Sequence, residues 1–202
     1  MNQHQIPKVL FVLGLPGSGK STQCANLVEQ YKYVHLPLGQ LLRNEQRNSE
    51  CGKIIYDCML NGTLIPSEIT IKILEKAVKE NQHHKLLIDG FPRNNENLLC
   101  WVSCMQGKFG DESVLVFDCP EDICMKRILE RSKDSNRIDD NEECIKRRFE
   151  TYYTETLPVI QYYDNIKLVT KINANLPPEE VRINIINVFS NKYSHDEDIL
   201  CC

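Results

Sequence analysis

The 202-residue sequence contains no apolar run approaching the roughly 18 residues that cross a membrane, no internal repeat and no low-complexity tract. Basic residues are not in excess either. Lys and Arg number 24 against 28 Asp and Glu, a net charge of -4 with a pI near 5.8, which argues against a general nucleic-acid surface, since that needs a basic face. Ten cysteines are present, but none form a C-x-x-C pair and their spacing with histidine fits no zinc pattern, so reduced thiols are expected. The first residues, MNQHQIPKVLFVLGL, lack a basic leader and a small-residue cleavage site. A cytoplasmic location is therefore expected, with the nucleus also open. A Cys-Cys end such as Cys201-Cys202 can accept prenyl groups, but the preceding HDEDIL is acidic, opposite to the polybasic second signal of stable anchoring. No membrane attachment is expected.

A hydrophobic content of 42% with 26% charged residues and this length suit one domain with a proper core. Apolar runs bounded by turn residues fall at 8–13 (KVLFVL), 34–36 (VHL), 85–89 (KLLID), 113–118 (SVLVFD) and 167–172 (KLVTKI). These read as strands. Helical spacing fills 20–31, 67–80, 120–131 and 142–163, so strand and helix alternate and the fold class is α/β. Because the strand runs are nearly unbroken Val, Leu, Ile and Phe, a parallel sheet covered by helices on both faces is expected. The polar, helix-like 38–65 and the charged RSKDSNRIDD at 131–140 do not fit the core layers and read as covers over a site. The tail from 191 to 202 is expected to fray.

The stretch FVLGLPGSGKST at 11–22 decides what that site binds. Gly14, four residues, then Gly19, Lys20 and Ser21 fit G-x-x-x-x-G-K-[ST], and the pattern lies between a strand and a helix as its mechanism requires. Glycines let backbone N-H groups close around phosphates, the helix N-terminus adds partial positive charge, Lys20 reaches the outer phosphates and Ser21 reaches a magnesium ion. Such a pattern arises by chance in about 1% of chains of this length. Triphosphate binding follows.

A phosphate cradle alone leaves open a nucleotide switch or an enzyme that passes the phosphoryl group on. A guanine-binding switch needs N-K-x-D, and Asn191-Lys192-Tyr193-Ser194 ends in Ser where the aspartate belongs. Arginines at 43, 93, 127, 131, 137, 147 and 148 favour the enzyme, because phosphoryl transfer demands positioning and neutralisation more than covalent chemistry. Taken singly, each is an ordinary solvated helix charge. Residues 126–148 hold eight Lys/Arg against six Asp/Glu, too balanced for a nucleic-acid stripe and consistent with a charged lid.

FVLGLPGSGKST (11–22), HLPLGQLLR (35–43), LIDGFPRNNEN (87–97), RILERSKDSNRIDDN (127–141) and KRRFETYYTETLPVIQYY (146–163) occur in one order and near one set of spacings. In these five motifs the chain resembles the nucleoside monophosphate kinases, in particular their UMP-CMP kinase branch, over roughly residues 8–190. The resemblance implies a P-loop NTPase fold with a five-stranded parallel sheet. The core would comprise about 8–37, 66–130 and 141–190, with a monophosphate-binding insertion at 38–65 and a short lid at 131–140. It implies transfer of the γ-phosphoryl of Mg-ATP to UMP or CMP by a monomer, an adenylate-type kinase acting on AMP being the alternative.

The resemblance also implies residue roles. Gly17, Ser18, Gly19, Lys20, Ser21 and Thr22 would hold ATP phosphates, Arg127 and Leu176 would border adenine, and Arg131 would reach ATP from the lid. Arg43, Arg93, Arg137 and Arg148 would clamp the acceptor and transferring phosphates, with Lys20, Arg93, Arg131, Arg137 and Arg148 as the catalytic set. Gly39, Thr63, Leu64, Ile65, Gly90 and Phe91 would line the monophosphate site. Asp89 and Ser21 would hold magnesium, Asp89 through water. Asn97 would read the base, since a short carboxamide donates and accepts, which suits uracil and cytosine alike.

Three departures stand out. Residue 21 is Ser where these kinases mostly carry Gly. Pro37-Leu38-Gly39 replaces Ser-Ala-Gly, with Leu38 expected to add bulk near the acceptor base. RSKDSNR lacks both lid glycines, which puts Asn136 forward for a left-handed turn.

Overall fold

The computed structural model describes residues 8–48, 50–81, 85–105, 111–135 and 137–192. Asn136 and the Cys-Cys end lie outside them. Five strands, β1 (Val9–Gly14), β2 (Tyr33–Pro37), β3 (Lys85–Asp89), β4 (Glu112–Asp118) and β5 (Val169–Asn173), form one sheet in the order β2-β3-β1-β4-β5. Every pairing is parallel.

The unbroken apolar runs have a direct structural cause. Along β1, Val9, Phe11 and Leu13 enter one core and Leu10 and Val12 enter another, because side chains alternate across a strand. β3 divides likewise, with Leu86 and Ile88 on the first side and Leu87 on the second. A strand covered on both faces has no polar face to alternate with.

Helices α2 (Leu38–Asn48), α3 (Gly52–Asn61), α4 (Ser67–Lys79) and α5 (Asn95–Met105) supply buried residues to the first core, and α1 (Lys20–Tyr31), α6 (Glu121–Ser132), α7 (Glu142–Thr151) and α9 (Pro178–Lys192) to the second. Phe11 anchors the first: its ring lies 5.3 Å from Trp101 edge-on and 6.0 Å from both Phe91 and Tyr163, contacts worth about 0.5–1.5 kcal/mol each beyond burial. Among the described residues no helix is long and apolar enough to cross a membrane.

Expected and observed elements agree closely at α1 and β3 and differ elsewhere for physical reasons. The helix expected over 142–163 is interrupted: α7 passes through a π turn, Tyr152–Thr156, into α8 (Leu157–Asn165). α7 begins where Asn141 accepts the backbone N-H of Cys144 at 2.9 Å, a side-chain cap. The cover at 38–65 is two helices, α2 and α3. α9 continues through Lys192, two residues into the segment expected to fray.

β1 lies between β3 and β4, strands that leave it in opposite directions. At this reversal the carboxyl ends of the strands open a crevice, the favoured ligand position in an open parallel sheet. The carboxyl ends of β1 and β3 carry the two clearest motifs, Gly14 onward and Asp89 onward.

Candidate active site

The turn between β1 and α1 is built on backbone that only glycine tolerates. Gly17 has φ +85°, and a Cβ there would stand 2.5 Å from the Cys124 carbonyl and 2.8 Å from Ile128, so α6 packs against the loop itself. Gly19 caps α1 in the left-handed region at φ +89°, where a side chain would be strained. Lys20 bends back and donates to the carbonyls of Gly14 at 2.8 Å and Leu15 at 2.7 Å and to Ser18 Oγ at 3.3 Å. Burial pushes its ammonium down to about 8, with the Asp89 carboxylate pulling the other way.

Ser21, the first turn of α1, donates its hydroxyl to Asp89 Oδ2 at 2.8 Å. The hydroxyl and the carboxylate therefore share one point at the mouth of the sheet, the donor set that hard divalent cations prefer. His35 Nε2 stands 3.9 Å from the same oxygen. Burial lowers its pKa, Asp89 again opposing. Cys24 completes a group whose ligand atoms lie within 4.8 Å of one another.

Opposite the loop, five arginines converge on a cleft of about 500 Å³. Arg43 comes from α2, Arg93 from the β3–α5 loop, Arg131 from α6, Arg137 from the segment after it and Arg148 from α7. Burial lowers the pKa of Arg43, with Arg137 adding to the effect, and that of Arg137, with Arg131 adding. Arg93 is pushed to about 10 by burial first and by Arg148 second. Like charges held this close and this dry await anions.

Two of the five have carboxylate partners that sequence reasoning passed over. Arg131 grips Asp140 through two hydrogen bonds of 2.9 and 2.7 Å. Arg148 lies 2.8 Å from Asp139 and 3.5 Å from Asp140. Both carboxylates are buried, so their cost is met mainly through these pairs, with Ser135 donating to Asp140 at 3.3 Å. The adjacent acidic residues inside a lid rich in arginine were the available signal. Arg127 spends its guanidinium on the carbonyls of Ala174 at 2.9 Å and Leu176 at 3.5 Å, which ties the β5–α9 loop to α6 beside the phosphate turn.

The cleft is lined by Gly17, Ser18, Gly19, Lys20, Ser21, Thr22, Arg127 and Leu176 on one side. On the other stand Gly39, Arg43, Thr63, Leu64, Ile65, Gly90, Arg93, Arg137 and Arg148, with Asp89 and Arg131 between. Two expected residues stand behind this wall. Phe91 is fully buried in the first core. Asn97 is only 3% exposed, and its carboxamide accepts from the Arg93 N-H at 3.2 Å while donating to Ser67 Oγ at 2.7 Å. Leu38 was expected near the acceptor base; instead it turns into the core at 1% exposure, and Pro37 takes the place on the cleft wall. A helix starts at residue 38, and its apolar face is where such a side chain belongs.

The adenylate kinase family model matches residues 12–168. UMP-CMP kinases from Sus scrofa and Homo sapiens are each 44% identical over 193 residues, covering 92% of this chain and 98% of theirs. UMP-CMP kinase 3 of Arabidopsis thaliana is 49% identical over 187 residues, covering 91% of this chain and 90% of its own. With its phosphate turn, its converging arginines and a match of this extent, the chain belongs to the adenylate kinase family.

Proposed function

We propose that the protein transfers the γ-phosphoryl group of Mg-ATP to UMP or CMP, giving ADP and UDP or CDP. The observation that carries this reading is one cleft with a glycine phosphate turn on one side and Arg43, Arg93 and Arg148 on the other. A switch protein needs a site for one nucleotide; this cleft has cations for the phosphates of two. The names of the relatives supply the pyrimidine acceptor.

In this reading the triphosphate occupies the turn, with Lys20 and Arg131 on its outer phosphates and Arg127 and Leu176 beside adenine. The monophosphate enters beneath the insertion at 38–65, its phosphate on Arg43, Arg93, Arg137 and Arg148 and its nucleoside against Gly39, Thr63, Leu64, Ile65 and Gly90. An acceptor phosphate oxygen attacks the γ-phosphorus, and the bond to the β-γ bridging oxygen breaks. The acceptor is already an anionic nucleophile, so the residues act by positioning and neutralising. Ser21 and Asp89 would hold magnesium, which supplies charge neutralisation on the outer phosphates. The lid at 131–140 closes over both nucleotides and excludes water, which would otherwise take the phosphoryl group.

Asn97 reads the base in this reading, which requires its carboxamide, behind the cleft wall in this structure, to be uncovered as the nucleotide binds. Its Oδ1 keeps a second lone pair and its Nδ2 a second hydrogen beyond the two bonds described, one donor and one acceptor for a ring edge that inverts between uracil and cytosine. The enzyme is a cytoplasmic monomer in this reading, to be checked by fractionation and by sedimentation of the native protein. A coupled ADP-release assay across UMP, CMP, dCMP, AMP, GMP and dTMP tests the function: the highest kcat/KM is expected for UMP or CMP, and fastest turnover of AMP would establish the adenylate-type alternative instead.

A further inference from the structure

Arg93 is held by its backbone from two sides and by its own side chain from a third. Its Nε donates to the Gly90 carbonyl at 2.7 Å, which lays the guanidinium over the β3–α5 turn. Its N-H donates to Asn97 Oδ1 at 3.2 Å, and its carbonyl accepts the Thr156 hydroxyl at 2.7 Å.

The Asn97 side of this grip has a fixed direction. Ser67 donates to the Glu96 carboxylate at 2.7 Å, which as an ionised group can only accept. Ser67 Oγ must therefore take its hydrogen from Asn97 Nδ2, at 2.7 Å, and that turns Asn97 Oδ1 towards the Arg93 N-H. Both Ser67 and Asn97 are buried, so a broken link leaves an unsatisfied polar atom behind Arg93.

The Thr156 side depends on the π turn. In an uninterrupted α-helix, at about 100° per residue, the position seven beyond Arg148 shares its direction. That position is Glu155, which is exposed, whereas Thr156 is buried. The wider π turn over Tyr152–Thr156, closed by the Leu157 N-H on the Tyr152 carbonyl, delays the helix by nearly one residue and swings Thr156 onto the face of Arg148. Thr156 thereby joins Arg148, Thr151 and Tyr152 in bordering the cleft. Such turns concentrate at functional sites.

We propose that Thr156 is a positioning residue for phosphoryl transfer: presented by the π turn, its hydroxyl fixes the Arg93 peptide and with it the guanidinium that receives the acceptor phosphate. Ser67, through Asn97, holds the Arg93 N-H, in the preceding peptide unit, from the other side. The inference rests on the acceptor role given to Arg93 above, and its test separates the two.

The test compares Thr156→Val, which keeps the shape and loses the hydroxyl, with Thr156→Ser, which keeps the hydroxyl. Thr156→Val lowers kcat/KM for UMP by about tenfold or more, as expected when a reacting group is misplaced, mainly through KM for UMP, while KM for ATP moves by less than about twofold. Thr156→Ser stays within about threefold of the parent. In an Arg93→Ala background Thr156→Val adds less than about twofold, because it acts through Arg93. A loss shared equally by UMP and ATP, or full additivity with Arg93→Ala, or a fall in Tm with unchanged kinetics, would overturn the inference. If Arg93→Ala alone costs less than about threefold, the acceptor role of Arg93 fails and takes the inference with it. Should Thr156→Val not accumulate as folded protein, Thr156→Ala, which also removes the hydroxyl, is read by the same criteria.

Discussion

In the proposed reading, the donor and acceptor ends of the cleft hold phosphate by different means. At the donor end most of the groups are backbone, shaped by left-handed glycines and a helix N-terminus within Gly14 to Ser21, with Lys20 as the local side chain and Arg131 reaching in from α6. At the acceptor end they are side chains, brought from α2, the β3–α5 loop, the lid and α7, from Arg43 to Arg148. A backbone site needs a few adjacent φ values; a side-chain site needs a folded sheet to assemble it. The first is rigid by construction. The second has partners that bond its cations from behind, Asp139 and Asp140 on Arg131 and Arg148 and Asn97 and Thr156 on Arg93.

The sharpest way to break this contrast is to remove one cation from each end. Lys20→Met should lower transfer by about a hundredfold or more, the scale of losing one preorganised donor, while UMP binding persists; activity retained within about tenfold of the parent would remove Lys20 from the chemistry. Arg93→Ala comes next, at about 3 kcal/mol in kcat/KM for UMP, because a desolvated phosphate loses a charged partner. A change below about threefold would make Arg93 an ordinary surface charge.

Asn97→Ala sharpens the comparison within the acceptor end. Its expected cost is about 1–3 kcal/mol in kcat/KM for UMP and CMP, the penalty for an unpaired buried edge, with KM for ATP nearly unchanged. The readout is the ratio of UMP to AMP turnover, so general damage cancels. A ratio within about twofold of the parent would leave base choice to Pro37, Thr63 and Ile65 on the cleft wall.

The smallest effect concerns protons. Lys20 in the free protein sits near pKa 8, whereas beside a polyphosphate it stays protonated. ATP binding therefore takes up a proton above that pH, and affinity falls by about fourfold between pH 7 and 8.5. Lys20→Arg, which remains charged throughout, should flatten the profile. Calorimetry in buffers of different ionisation enthalpy checks it; absence of proton uptake at pH 8.5 would contradict the lowered pKa.

The same contrast explains what could be read without coordinates. α1 was legible residue by residue and β1 to within one residue at each end, with the glycine turn between them, since local backbone rules govern them. The arginines were legible as a set, and their roles only through resemblance. Asp139 and Asp140 were not, because a carboxylate in a charged segment looks solvated until burial and pairing are known. Leu38 was misplaced for a related reason: its neighbour Pro37 reaches the cleft while the first turn of α2 rotates Leu38 into the core. The π turn leaves no mark in the periodicity of 142–163, yet it decides that Thr156 and not Glu155 meets Arg93.

The central claim is that one cleft receives two nucleotides by two separate devices. Equilibrium titration of ATP and of UMP against Lys20→Met and Arg93→Ala tests it most directly. Lys20→Met should weaken ATP by about tenfold or more and leave UMP within about twofold, and Arg93→Ala should do the reverse. Loss of the same ligand in both variants would contradict the account.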